Sequence, residues 1–260
     1  MMLGTLIDEF VKRWVLAVQD FTVLLVSSLR RAFTPPHYII DTLFQMDVIG
    51  VGSLPIVLLT GFFTGCVLAL QSYRTLSTFG EVGLLGEMVA LSVVRELGPV
   101  LTALMVAGRI GSGIASELGS MLVSEQIDAM RAFGTDPIRK LVLPRLFATL
   151  MTLPLLTVLS DFFGMLGGYF ISSYSVHLSS REYWNSVSQS LTYQDVTQGM
   201  LKPFIFAVVI AMVGCYCGLS TKGGTEGVGR STTQAMVVAS VLILVLDFFI
   251  TKFLIAIGFF

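Results

Sequence analysis

VALSVVRELGPVLTALMVAGRIGSGIASELGSMLVSEQIDAMRAFGTDPIRKLVLPR, residues 89–145, decides how the rest of the chain is read. From Met88 to about Gly113 the chain is apolar except for Arg95, Glu96 and Arg109, and this exceeds the roughly 20 residues needed to cross a bilayer. Residues 114 to 144 then gather Glu117, Glu125, Asp128, Arg131, Asp136, Arg139 and Lys140. An apolar stretch of bilayer length that runs into a charged connection reads as a membrane span leading to an aqueous face. Composition agrees. Of 260 residues, 54% are hydrophobic and 13% charged, against roughly 25% charged in soluble domains, and the mean hydropathy is +0.83. A net charge of -1 supplies no basic field for nucleic acid.

Working outward, Val48 to Tyr73 carries no charge and is the first span. Further spans run from about Leu146 to Tyr169, from Pro203 to Thr221 and from about Ala235 to Gly258, making five in all. Upstream, Asp8, Glu9, Lys12, Arg13, Gln19, Asp20, Ser27, Ser28, Arg30 and Arg31 fall within or beside one helical arc of roughly 140°. Phe10, Trp14, Val18, Phe21 and Leu25 lie opposite. This pattern predicts a helix lying in the membrane interface, ended by Pro35 and Pro36. Its charges and the lack of a small-residue cleavage site argue against a removed signal peptide.

The expected fold is an all-α integral membrane protein, with residues 1–34 as an amphipathic interfacial helix and 35–260 as a five-span domain. A short helix at about 122–136 is expected between the second and third spans, and a polar segment at about 172–196 on the far side. Arg30, Arg31, Arg131, Arg139, Lys140, Arg145, Lys222 and Arg230 fall on one side, with Arg74, Arg181, Lys202 and Lys252 assigned to the other. The bias places the N-terminus in the cytoplasm and the C-terminus outside.

Arg95 and Glu96 lie about 12 Å into the second span at 1.5 Å per residue. A charge at that depth costs several kcal/mol unless water or a partner relieves it. Being adjacent, they point about 100° apart and do not simply neutralise one another. They line a polar cavity that admits a lipid headgroup, or they form interhelical ion pairs. Pro99 removes a helix hydrogen bond just beyond them. Asp161 and Asp247 are isolated acids in the third and fifth spans, open to three readings: a proton relay, a partner for Arg95, or a neutral hydrogen-bonded carboxyl.

The stripe Gly111, Ala115, Gly119, the parallel stripe Ser112, Ser116, Ser120, and the pair Gly61, Gly65 read as close helix packing. Cys66, Cys215 and Cys217 sit in apolar runs as small hydrophobes. His37 and His177 are far apart and near no cysteine cluster, so no metal site is expected. Gly224, Gly229, Arg230 and Ser231 come within one residue of a phosphate-binding loop, but Arg replaces its Lys and a loop between two spans replaces its strand-to-helix setting. In the charged connection, Ile127, Met130 and Phe133 make one apolar edge beside Asp128 and Arg131.

The stretch 89–145, together with GVGRSTTQAMV at 227–237, closely resembles the MlaE-type permease family of bacterial lipid ABC transporters. The resemblance implies a homodimeric permease of the inner membrane. Each subunit would grip a cytoplasmic ABC ATPase that carries the ATP and Mg, and the dimer would seat a periplasmic MCE-domain protein. The chain itself would hold no cofactor and no catalytic residue. The connection matching Glu125 to Asp136 would be the coupling helix, with Glu125, Gln126, Asp128 and Met130 as ATPase contacts. Phospholipid would occupy an outward-facing cavity lined mainly by the first two spans. Leu68, Leu76 and Phe79 would touch acyl chains, and Arg95 and Glu96 would supply its polar residues. A secondary transporter or channel, and an intramembrane lipid enzyme, are the competing readings.

Overall fold

The computed structural model describes residues 2–36 and 38–258, with side chains for residue 12 and from residue 15 onward. The expectations for His37, and for the side chains of Asp8, Glu9, Phe10, Arg13 and Trp14, lie outside the described residues. Helix α1 spans Met2–Ala32, α2 Ile39–Phe79, α3 Val82–Val123, α4 Gln126–Ala132 and α5 Ile138–Tyr174. Then come α6 at Ser180–Ser190, α7 at Tyr193–Leu219 and α8 at Gly224–Ala256. Among the described residues there is no strand. Among the described residues, α2, α3, α5, α7 and α8 are the 5 helices long and apolar enough to cross a membrane.

These helices overrun the spans read from hydropathy. The 41 residues of α2 make a rod of about 60 Å, roughly twice the hydrocarbon thickness. Its overhangs carry Asp41 and Asp47 before the apolar run and Arg74 after it. Hydropathy marks only the part lipid can bathe; the helix goes on until Gly80 takes a left-handed φ of 77° and ends it. Pro137 stands immediately before α5, where its fixed φ suits a helix start. The glycine-rich run read as a loop is mostly helix. Gly223 and Gly224 turn the chain at φ 94° and 67°, after which the Glu226–Arg230 pair at 2.7 Å supports the first turns of α8.

The most apolar windows of α5 and α7 are 72% and 61% buried, against 33% for α2 and 17% for α8. So α5 and α7 form the centre, while α2 and α8 show broad apolar faces outward. Small residues allow the closest contacts. A Cβ on Gly65 would collide with the backbone of Gly164 on α5, and one on Gly61 would sit 2.6 Å from the Ser160 carbonyl. The stripe on α3 meets α7 in the same way: a Cβ on Gly218 would come within 2.7 Å of Leu118 and 3.1 Å of the Ala115 carbonyl.

Among the described residues, π-helical turns interrupt α3 at Val93–Leu97 and Ala107–Gly111 and open α5 at Ile138–Val142, a feature often found at functional places. Each carries charge: Arg95 and Glu96, Arg109, and Arg139 with Lys140. Arg109 donates to the Ser53 hydroxyl at 3.0 Å and the Val48 carbonyl at 3.3 Å, tying α3 to the early part of α2. Helix α1 docks through Phe21, whose ring meets Tyr216 of α7 edge-on at 5.9 Å. Ser28, counted on its polar arc, is buried. On the other side α6 begins with a reciprocal Ser179–Glu182 capping box. Tyr183 of α6 is buried and donates to the Met165 carbonyl at 2.9 Å. Burial pushes its phenol up, so it stays a donor.

Candidate functional site

Because proline has no N–H, Pro99 cannot return the usual hydrogen bond to the carbonyl of Arg95, four residues earlier. The Lys202 ammonium of α7 donates to that carbonyl instead, at 3.0 Å. The same ammonium lies 2.6 Å from Glu96 Oε2 and 2.9 Å from Asp247 Oδ1 of α8. The Thr251 hydroxyl donates to Glu96 Oε1 at 3.2 Å. Arg95 Nε reaches Asp195 Oδ1 at 2.7 Å, while Asp195 Oδ2 accepts from the Thr192 backbone at 2.9 Å. Five charged side chains from three helices thus join one network.

Lys202, assigned from sequence to the far-side cations, is fully buried at its centre. A cation is tolerated there because two carboxylates and the Arg95 carbonyl surround it. Asp247 is partnered with Lys202 rather than with Arg95. Asp161 packs against the backbone of Gly98, buried, with one carboxyl oxygen meeting no hydrogen-bond partner among the described residues.

The other side of α3 is different. Leu97, Leu101 and Met105 face Thr60, Phe63, Thr64, Val67 and Leu68 of α2 across an open groove of about 410 Å³ with no charged residue in its wall. Of the five positions selected from sequence for lipid contact, Leu68 lines this groove. Leu76 is buried further along α2, and Phe79, 76% exposed, ends that helix. Arg95 and Glu96 are drawn to α7 and α8. The structure therefore does not gather all five into one place. The groove residues Leu97, Leu101 and Met105 and the network partners Asp195, Lys202 and Thr251 were not selected. The spacing 97, 101, 105 was an available signal, since residues four apart share a helix face.

Beyond the groove, α3 continues to Val123 and the chain reverses at Glu125, whose φ of 59° is uncommon for a residue with a side chain. Helix α4 follows. Its apolar edge splits: Ile127 is fully buried and Met130 half-buried, whereas Phe133 is 86% exposed just past the helix end. Glu125, Gln126 and Asp128 all face outward, and Asp128 pairs with Arg131 at 2.9 Å. The base of the connection is fixed by Arg145 of α5, which is buried, 2.8 Å from Glu117 of α3, and donates to the Leu141 carbonyl at 2.7 Å.

Comparison with known proteins adds one family match and three relatives. The family model described as "Permease MlaE" matches residues 42–253. A probable ABC transporter permease protein of Rickettsia typhi is 39% identical, over 97% of each chain. The intermembrane phospholipid transport system permease protein MlaE of Haemophilus influenzae is 37% identical, over 82% of each chain. The chloroplastic protein trigalactosyldiacylglycerol 1 of Arabidopsis thaliana is 38% identical, over 82% of this chain and 61% of its own length.

Proposed function

Because the chain belongs to the MlaE permease family, we propose that it is the membrane subunit of an ABC transporter that moves phospholipid between the inner membrane and the periplasm or outer membrane. The observation that carries this reading is the shared use of α3. One continuous helix supplies Leu97, Leu101 and Met105 to the apolar groove and ends at Val123, just before the exposed connection that holds α4. A displacement of α4 is therefore felt along the wall of the groove.

In this reading the groove, completed by a second copy of the chain, holds acyl chains. Glu125, Gln126, Asp128 and Met130 meet a cytoplasmic ABC ATPase, which binds the ATP and Mg and does the hydrolysis; the permease performs no covalent step. A periplasmic MCE-domain protein receives or delivers the lipid. The N-terminus is cytoplasmic and the C-terminus periplasmic.

Gentle purification of the tagged chain from its native membrane, followed by mass spectrometry of bound proteins and lipids, tests this. The expected result is an ATPase, an MCE-domain protein and phospholipid in one complex. A lone, lipid-free chain, under conditions that keep such complexes intact, sinks the proposal and favours a secondary transporter.

A further inference from the structure

Where α1 gives way to α2, the stretch after α4 is fastened to the N-terminal elbow by charge. Arg31 Nε lies 3.0 Å from Asp136 Oδ2. Arg139 donates to the Pro35 carbonyl at 2.8 Å and the Thr34 hydroxyl at 3.1 Å. Lys140 pairs with Asp41, and its ammonium stands 4.4 Å from the centre of the Tyr38 ring.

Among the described residues, three cations here face two carboxylates, so one positive charge is left over. Two guanidinium nitrogens, Arg31 Nη1 and Arg139 Nε, are buried with no hydrogen-bond partner among the described residues. Arg139 Nε stands 3.8 Å from Asp136 Oδ2, too far for a hydrogen bond. A buried donor on a charged group without an acceptor is unfavourable. Beside them a groove of about 190 Å³ is walled by Tyr38, Ile39, Leu43, Leu143 and Phe147, with Arg139 in the same wall. It adjoins the outward face of α2, where Ile39, Ile40, Leu43 and Phe44 are 60% to 83% exposed. These residues lie on the overhang that precedes the uncharged run of α2, at the membrane boundary, where headgroups and the first acyl carbons meet the protein.

We propose that this groove is a binding site for an acidic phospholipid, with an acyl chain along Leu43 and Phe147 and the phosphate on the guanidinium groups of Arg31 and Arg139. The apolar wall calls for a chain, and the surplus cation with its idle donors calls for an anion; guanidinium suits phosphate by its forked geometry. Basic pockets between spanning helices at the membrane boundary are suited to acidic headgroups. The site is separate from the α2–α3 groove, since Leu43 and Thr60 are about 25 Å apart along α2 at 1.5 Å per residue. Its occupant is a resident lipid that braces the joint between the elbow and the α4–α5 connection. The proposal does not depend on the transport reading.

The test is native mass spectrometry of the full chain in detergent, titrated in separate arms with phosphatidylglycerol, phosphatidylethanolamine and inorganic phosphate. One phosphatidylglycerol per chain is expected to be retained about tenfold more strongly than phosphatidylethanolamine, a difference of about 1.4 kcal/mol, and not to be displaced by phosphate. Thr42→Trp, which fills the groove from an uncharged position of its wall, and Arg139→Gln should each lower retention about tenfold. Leu101→Trp in the other groove should leave it unchanged. Equal retention of the two lipids overturns the site. So does loss of phosphatidylglycerol with Leu101→Trp but not with Thr42→Trp, which marks the bound lipid as cargo. A lipid-free chain whose Leu43→Cys variant forms a disulfide-linked dimer assigns the groove to a second copy instead.

Discussion

Glu96 and Leu97 are neighbours in sequence, yet they face different neighbours of α3 and opposite physics. On one side, Arg95 and Glu96 are held to α7 by ion contacts of 2.7 Å and 2.6 Å, and Glu96 to α8 by the Thr251 hydroxyl at 3.2 Å. On the other, Leu97 begins an apolar face that looks across an open groove at α2. Charges in a low-dielectric interior demand fixed partners, whereas an apolar wall accepts whatever apolar surface comes against it. One helix therefore combines an anchored face with an adaptable one, and the contrast predicts unequal responses to substitution.

The largest effect belongs to the anchored face. Lys202→Met strands Glu96 and Asp247 without their cation and should cost about 3–5 kcal/mol, seen as a lower Tm of the purified protein in detergent. Adding Glu96→Gln and Asp247→Asn should recover much of that loss; an unchanged Tm in the single variant would remove the contrast altogether. Next is Gly65→Leu, which forces α2 off the Gly164 backbone and should cost about 1–3 kcal/mol by overpacking, measured in the same way. On the adaptable face, Leu101→Trp should change stability by only about 0.5 kcal/mol while reducing phospholipid transfer in reconstituted vesicles about tenfold. A Tm drop like that of Lys202→Met would show that the groove face is also structural. Smallest of all, Asp128→Ala at the exposed pair on α4 should move stability by less than about 0.5 kcal/mol, with any loss confined to retention of the ATPase in pull-downs.

Much of the fold was legible because the bilayer filters sequence so strongly: uncharged runs such as Val48 to Tyr73 have few other destinations. The glycine pair of α2 and the small-residue stripe of α3 were legible for a related reason, since small side chains at helical spacing invite a backbone to approach. Helix ends were less so. Nothing in hydropathy records that α2 begins at Ile39 or that α3 lasts to Val123, because water tolerates a helix as readily as a loop. The charge network was the hardest to foresee. Lys202 looked like a boundary residue, and its burial depends on how α7 and α8 are aligned beside α3. A single chain's periodicity gives each helix a face but no axial register against its neighbours. Pro99 marks a missing donor; that a side chain on another helix would donate to the Arg95 carbonyl lay beyond local spacing.

The Lys202 network also bears on how the protein is made. Glu96 is synthesised 106 residues before the lysine that neutralises it, and Arg95 precedes Asp195 by 100 residues. At roughly 5–20 residues per second, that is a wait of about 5–20 s, and Asp247 arrives later still. Through this interval α3 stands at the insertion machinery with a cation and an anion whose partners have not been translated. The bundle is therefore completed by helices meeting within the membrane rather than by spans inserting one at a time in final form. A chain cut short after α5 keeps the liability without its remedy, and is material for quality-control proteolysis rather than a smaller working protein.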